Sequence, residues 1–213
     1  MRQDLKSQCH RHEIVNTKFE RFDKTASSVI AGVVLAFLAA NLLQPARAGE
    51  ADKAQQAALV NALAQSKLTL AEGIRRVTQT GEVPISAKFE FDDGGKLSLS
   101  IYTAEKGLSG DAEHNVLKEL SGSPEQKDWK PETEVFKDVA HVARSSEQLT
   151  LLRLSRHSLI EILESAQKKH PGTVLAITPL VKAHQPVFVV LDAVGKDRVI
   201  ELDYRLDGRE VSP

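Results

Sequence analysis

The fold is decided by the stretch ISAKFEFDDGGKLSLSI, which spans residues 85–101. Apolar and polar residues alternate on both sides of its centre, a pattern that predicts two antiparallel strands with one buried and one polar face. The centre is Asp92-Asp93-Gly94-Gly95, and glycine accepts the positive φ angle that a tight turn requires. The two aspartates could also bind Ca²⁺, but an acidic turn of this kind needs no ion. The stretch therefore predicts a half-buried β-hairpin.

A second hairpin pattern recurs about 90 residues later. Residues 175–181 align with residues 85–91, and residues 187–191 align with residues 97–101. The second copy continues into a further apolar stretch at residues 198–204, which predicts a third strand. The recurrence indicates two tandem units.

Each hairpin is preceded by a predicted helix. Residues 68–77 align with residues 154–163, and Thr69 and Ser155 then occupy the N-cap positions, where a hydroxyl can accept a bond from an unpaired backbone N–H. Glu72 adds the pattern of a capping box. The apolar residues that follow have helical spacing. We therefore expect an α+β fold of two units, each a helix packed on a small antiparallel sheet.

The regions outside the two repeats are also predicted to be helical. Residues 112–120 and 132–144 are expected to form two helices that make a helical linker between the units. The Ala- and Gln-rich residues 49–66 are expected to form a helical lead-in. The first unit with its linker then covers residues 67–147, and the second unit covers residues 148–213.

The first 48 residues are predicted to direct export. An uncharged apolar run covers residues 26–43, and Ala46-Arg47-Ala48 follows with the small side chains that signal peptidase accepts. The run is also close to the length that spans a bilayer, so an uncleaved N-terminal anchor is the alternative. Both interpretations place the rest of the chain outside the cytoplasm, in the periplasm or secreted. The long polar stretch before the run leaves open a start downstream of Met1.

Composition excludes several classes of function. The 213 residues include 28 basic and 29 acidic ones, for a net charge of −1, so the basic surplus that nucleic-acid binding needs is missing. The only cysteine, Cys9, precedes the apolar run. A chain that begins after residue 48 therefore has no disulfide and no thiolate metal site. Membrane contact is expected only through the N-terminal segment, if that segment is not cleaved.

The second unit resembles a PepSY domain. The shared features begin with a capped helix at residues 158–163 and a helix stop at His170-Pro171-Gly172. Two strands follow at residues 174–177 and 185–191, with a turn at Gly195-Lys196. Residues 206–211 form an ending similar to the family's D-x-x-T-G-E-V. The first unit resembles the same domain more distantly, because the region after Tyr102 is predicted to be helical instead of a third strand. The resemblance implies an exported or membrane-associated protein with an inhibitory or regulatory role toward a peptidase, and it brings no catalytic residues.

No catalytic, cofactor-binding or metal-ligating residue is assigned from the sequence, and no cofactor is expected. The motifs G-x-S-x-G, H-E-x-x-H, G-x-G-x-x-G and the P-loop do not occur. Two groups are considered as metal ligands: Asp111 with Glu113 and His114, and the helical pair Asp138 and His141. The other side chains considered are the loop serine Ser109, His170 at a helix end, His184 in a turn, and the basic pairs Arg75-Arg76 and Lys168-Lys169. Each has a simpler interpretation as a solvated surface, a turn or a helix end.

The sequence thus favours an exported, non-enzymatic binding or regulatory protein. Small open sheets leave backbone groups unpaired at their edges, and an added strand can use them. The expected partner is a peptide segment or a protein of the cell envelope, with a peptidase as one candidate. A structural envelope protein is the main alternative, and a metal-binding periplasmic protein is a further one.

The export hypothesis predicts a mature chain that begins near Gly49, because Ala46 and Ala48 present the side chains that the peptidase pocket accepts. N-terminal sequencing of the protein from the envelope fraction should therefore read Gly49-Glu50-Ala51. A protein that keeps Met1 and stays in the cytoplasm would contradict the hypothesis.

Overall fold

The computed structural model describes residues 50–109, 114–195 and 198–211, with side chains from Lys53 onward. The predicted export segment and Cys9 lie outside these residues. The described chain is an α+β fold of four α-helices, one short 3₁₀ turn and seven strands, in the order α1 (Glu50–Ala62), the 3₁₀ turn (Leu63–Gln65), α2 (Leu70–Gln79), β1 (Val83–Phe91), β2 (Leu97–Ala104), β3 (Leu117–Gly122), β4 (Glu132–Val135), α3 (Val139–Leu154), α4 (Leu159–Lys169), β5 (Thr173–Lys182), β6 (Gln185–Val194) and β7 (Arg198–Arg205).

The seven strands form one antiparallel sheet in the order β4-β3-β2-β1-β5-β6-β7. A helix followed by three strands occurs twice, as α2-β1-β2-β3 and as α4-β5-β6-β7. The first strands of the two halves lie side by side at the centre, where Ala87 is opposite Ile177 and Lys88 is opposite Ala176. We refer to β1 and β5 as the central strand pair. The two halves therefore share one continuous sheet.

Both strands of the central pair carry a bulge at equivalent positions. The pairing of β1 with β2 skips Ile85, and the pairing of β5 with β6 skips Leu175. These two residues are aligned with each other in the sequence repeat. A bulge bends a strand and increases its twist, so the two halves bend at the same place.

The helices that open the two halves begin with the same capping box. The side chain of Thr69 accepts the N–H of Glu72, and that of Ser158 accepts the N–H of Glu161, with both glutamates bonding back to the cap backbone. The prediction that Ser155 caps the second helix is wrong. Ser155 instead ends α3, and its hydroxyl donates to the carbonyl of Leu206 at 2.9 Å. Residues 155–158 connect α3 to α4, so the N-cap of α4 is Ser158, three residues later than the alignment implied.

The helices cover both faces of the sheet. Helices α2 and α4 lie on one face, where Gly73 lets α2 approach so closely that a Cβ there would lie 2.6 Å from the Cδ2 atom of Leu99. Helix α3 crosses the opposite face, where the hydroxyl of Ser86 donates to the side chain of Gln148 at 3.1 Å. Ser86 points away from Ala87 and Leu99 because successive strand residues alternate between faces.

The predicted helical linker is wrong. Residues 112–120 and 132–144 were expected to be helices, but the chain there contains strands β3 and β4, and α3 begins only at Val139. Pairing with β2 places Leu117 opposite Ala104 and Leu120 opposite Ile101, and both leucines are buried. This tertiary pairing outweighs a local helical pattern. The first half therefore has a third strand, as the second half does.

Two other predictions are confirmed. The lead-in is helical as α1, and Leu59, Ala62 and Leu63 pack against the core. The third strand of the second half is present as β7. None of the helices in the residues that the structure describes is both long and apolar enough to cross a membrane.

The central strand pair predicts where the fold is most sensitive. Ile177 is 0% exposed, so Ile177→Ala should lower the free energy of unfolding by about 2–5 kcal/mol, because it leaves a cavity between the halves. Val181, on the same strand, is 50% exposed, and Val181→Ala should cost less than about 0.5 kcal/mol. Chemical denaturation of the chain from Gly49 measures both values. Equal losses would contradict this account of the core.

Candidate functional site

The structure gives Asp138 and His141 a role in starting a helix. Asp138 is the N-cap of α3, and its carboxylate accepts the backbone N–H of His141 at 3.0 Å. The Nδ1 atom of His141 lies 2.6 Å from the other carboxylate oxygen, and its ring stacks on Phe136. The backbone bond from His141 is the main cause that lowers the pKa of Asp138.

His170 does more than end a helix. It is the C-cap of α4, and its Nε2 atom lies 3.0 Å from Glu210 while Lys169 Nζ lies 3.2 Å from the same carboxylate. Burial would raise the pKa of Glu210, but the bonds from Lys169 and His170 lower it overall. The helix end therefore holds the C-terminal tail. Position 172, two residues further on, needs a glycine because a Cβ there would collide with the carboxylate of Asp192.

The remaining sequence candidates lie at turns, helix ends or the surface. The carboxylate of Asp92 accepts the N–H groups of Gly94 and Lys96, which explains the acidic turn. His184 is exposed in the second hairpin turn, as predicted, with a φ of 64°. Ser109 donates to the Lys106 carbonyl, and Arg75 pairs with Glu164. A further histidine, His157, lies against Gly208. Asp111 and Glu113 lie outside the described residues.

A metal site is not evident in the described ranges. Within them, no group of three or more His, Cys, Asp and Glu side chains could hold a metal ion. His114, the described member of the predicted metal corner, is exposed in a short turn.

The two edges of the sheet differ. The β7 edge is partly covered by the chain that follows it, since Glu210 pairs with Tyr204 and the N–H of Val211 donates to the carbonyl of Asp203 at 2.7 Å. At the other edge, β4 pairs with β3 alone among the described strands, and all four of its residues are exposed. The β4 edge is therefore the open one.

Three polar side chains form a row that leads inward from the open edge. Glu134 on β4 lies opposite Glu119 on β3, and Glu119 lies opposite Tyr102 on β2. Residues opposite each other share a face of the sheet, so all three point to the side that α3 crosses. We call Tyr102, Glu119 and Glu134 the acidic row.

The acidic row carries an unfavourable charge. Burial raises the pKa of the half-buried Glu119, and the carboxylates of Glu90 and Glu134 raise it further. The hydroxyl of Ser100 and the ammonium of Lys88 lower that pKa but do not cancel the rise. Like charges directly opposite in a sheet destabilise it. Glu119 therefore stays in a position that costs the fold stability at neutral pH.

Tyr102 adds an unused hydrogen-bonding group. Its side chain is only 6% exposed, and its hydroxyl makes no hydrogen bond of ordinary geometry with a described group, although the Glu119 carboxylate lies near it. Burial raises the pKa of that hydroxyl, Glu119 and Glu90 add to the rise, and Arg144 opposes it. The ring packs against Phe136 at 5.5 Å between centroids. A buried hydroxyl without a partner is uncommon in native proteins.

Sequence reasoning missed the acidic row. Glu119 and Glu134 were placed in helices, where they would not have been neighbours. One signal could have corrected this, because Pro131 and the alternation of Glu132-Thr133-Glu134-Val135, with its β-branched residues, are typical of a short edge strand.

No protein-family model matches the chain, and no curated protein matches its sequence. Among solved structures, the chain is similar to a candidate lipoprotein from Clostridium difficile 630, with 12% identity, a TM-score of 0.36, and coverage of 69% of this chain and 92% of that one. The likeness is too distant to support an argument about function. The PepSY resemblance therefore stays a prediction from the sequence pattern.

The charge on Glu119 predicts an unusual pH dependence. A carboxyl whose pKa is higher in the folded chain binds more protons when folded than when unfolded, so its contribution to stability falls as the pH rises above about 4.5. Glu119→Gln should therefore raise Tm at neutral pH, by about 1–3 °C, and should leave it unchanged below about pH 4.

Thermal unfolding at several pH values measures this difference. Glu132→Gln is the matched control, because Glu132 is exposed and lies opposite Ser121, and it should have a smaller effect at every pH. A lower Tm for Glu119→Gln at neutral pH would contradict the assigned cost.

Proposed function

We propose that the protein is an exported, non-enzymatic binding protein of PepSY type. In this proposal it binds an extended segment of a partner protein in the cell envelope, and a peptidase is one candidate partner. Export rests on the apolar run at residues 26–43 and on Ala46-Arg47-Ala48. The proposal gives no catalytic role to any side chain.

The observation that carries the proposal is the open edge at β4. An edge strand presents unpaired backbone N–H and C=O groups, and an extended peptide can pair with them as an added strand. The four exposed residues of β4 are free of covering chain, whereas the tail partly covers β7. In the described structure, β4 is therefore the less covered of the two edges for strand addition.

Apolar side chains beside β4 favour the same use. Val135, Val139 and Val142 are 44%, 85% and 37% exposed, and they lie at the end of β4 and the start of α3. Exposed apolar side chains grouped near one edge are typical of interaction surfaces. They would contact the side chains of an added strand.

Charge makes a second copy of the chain a poor occupant of this edge. Glu132 and Glu134 share a face, and an antiparallel pairing of two copies in which the β4 strands overlap fully with their acidic faces together places glutamate opposite glutamate. Each such pair destabilises by up to about 1 kcal/mol. The charges thus disfavour self-association and leave the edge for a different partner.

The repeated architecture supports the assignment to a PepSY type. Each half is a helix followed by three antiparallel strands, with a capping box at Thr69 or Ser158 and a bulge at Ile85 or Leu175. The sequence features that resemble the family lie in the second of these halves.

Proline substitution in β4 tests the proposed function. Proline removes a backbone N–H, and neighbouring strand residues direct that group to opposite sides. Of Thr133→Pro and Glu134→Pro, one therefore removes an N–H that faces the open edge and leaves the fold intact, and the other removes an N–H that faces β3. The variant that keeps its wild-type Tm should lose at least ten-fold in the recovery of partners from the envelope fraction.

Two controls accompany this experiment. Thr133→Ala keeps the backbone donor and should recover partners as wild type does. Single replacements of His141, His157, His170 and His184 by Asn should change recovery by no more than a few-fold. Unchanged recovery by the stable proline variant would refute strand addition at β4, and loss of an activity through one histidine would refute the non-enzymatic assignment.

A further inference from the structure

We propose that the acidic row binds a cationic side chain, preferably arginine, of the segment that adds to β4. This inference rests on the proposed function and specifies the partner as an extended segment with basic residues at alternate positions. The row of Tyr102, Glu119 and Glu134 supplies the two carboxylates and the hydroxyl that such a side chain would meet.

The arrangement of the strands puts an incoming side chain next to the row. A strand added beside β4 lies about 4.8 Å from it, and its residue opposite Glu134 points to the same face. Glu119 is then two strand spacings away, within the reach of an arginine side chain. On the added strand, the residue two positions from the one opposite Glu134 lies near Glu132. Basic residues at alternate positions therefore meet the acidic face of β4, while the residues between them point to the side of Val135.

The cations already present do not cancel the charge of the row, since the pKa of Glu119 stays raised in their presence. Lys88 Nζ lies 2.6 Å from Glu90, so that ammonium is paired beside the row. Lys118 points to the other face of the sheet, where it pairs with Glu82 at 2.8 Å and with Glu105 at 3.2 Å.

Arg144 is a further basic group near Tyr102. It lies on α3 and acts on Tyr102. The carboxylates opposite each other at Glu119 and Glu134 are left with the repulsion that a bound cation would relieve.

The hydroxyl of Tyr102 is a second and independent indication of a ligand. It is buried beside Glu119, and it makes no hydrogen bond of ordinary geometry with a described group. An arginine side chain that reaches past Glu134 to Glu119 would bring its N–H donors toward the oxygen of this hydroxyl. Arginine suits the site better than lysine, because its planar guanidinium can donate to two carboxylates at once.

Two short peptides test the inference. One is a capped five-residue peptide of alternating threonine and arginine, and the other has glutamine in place of each arginine. Both are titrated into the ¹⁵N-labelled chain from Gly49, and amide shifts in β3 and β4 are followed. We expect the arginine peptide to bind at least ten-fold more tightly than the glutamine peptide and to lose most of that advantage in high salt.

Charge-matched variants assign the effect to the row. The double variant Glu119→Gln with Glu134→Gln should weaken binding of the arginine peptide at least five-fold. The double variant Glu105→Gln with Glu164→Gln removes the same charge away from the row and should change binding less than two-fold. The amide spectra of both variants also report whether the fold is kept.

The outcomes separate this inference from the proposed function. If the glutamine peptide shifts β4 and binds as tightly as the arginine peptide, the cation subsite is wrong and strand addition stands. If both double variants bind the arginine peptide equally well, the acidic row is not the subsite. If neither peptide shifts the amides of β4, both the inference and the proposed function are wrong.

Discussion

The structure depends on the pairing of β1 with β5 at the centre of the sheet. There Ala87 meets Ile177 across the boundary between the halves, and both side chains are buried. The helices reinforce this pair, since α2 contacts β5 as well as β1, and α4 contacts β1 as well as β5. The ion pair of Arg75 with Glu164, at 2.6 Å, links the two helices on the exposed side. Each half therefore completes the apolar core of the other.

The central pair also decides which strands form the edges. Once β1 and β5 are joined, β4 and β7 are the outermost strands. The C-terminal tail, held by His170 and Lys169 through Glu210, covers part of β7, and no described segment does the same for β4. The stability lost through Glu119 is tolerated there because Leu117 and Leu120 are buried, one on each face, and hold β3 in place.

Much of the fold could be predicted from residues that act locally. The hairpin in residues 85–101, the glycine turn and the capping residue Thr69 all lie where they were expected. The expectation that the hairpin is half-buried is wrong for β2, whose eight residues are all buried because α3 covers the face that was expected to be polar and open. The offset between the repeats correctly aligned the bulges at Ile85 and Leu175. The acidic row could not be predicted, because Tyr102, Glu119 and Glu134 are far apart in the chain and meet only through strand pairing.

The sequence by itself determined the α+β class, the two hairpins and the starts of the first helices, because turn chemistry, side-chain alternation and helix capping act over a few residues. Only the tertiary structure decided that residues 117–122 and 132–135 are strands, that the halves share one sheet, and that β4 remains an open edge. A short segment such as Leu117–Gly122 has no strong local preference. Its conformation is chosen by the neighbour that buries Leu117 and Leu120 and supplies its backbone hydrogen bonds.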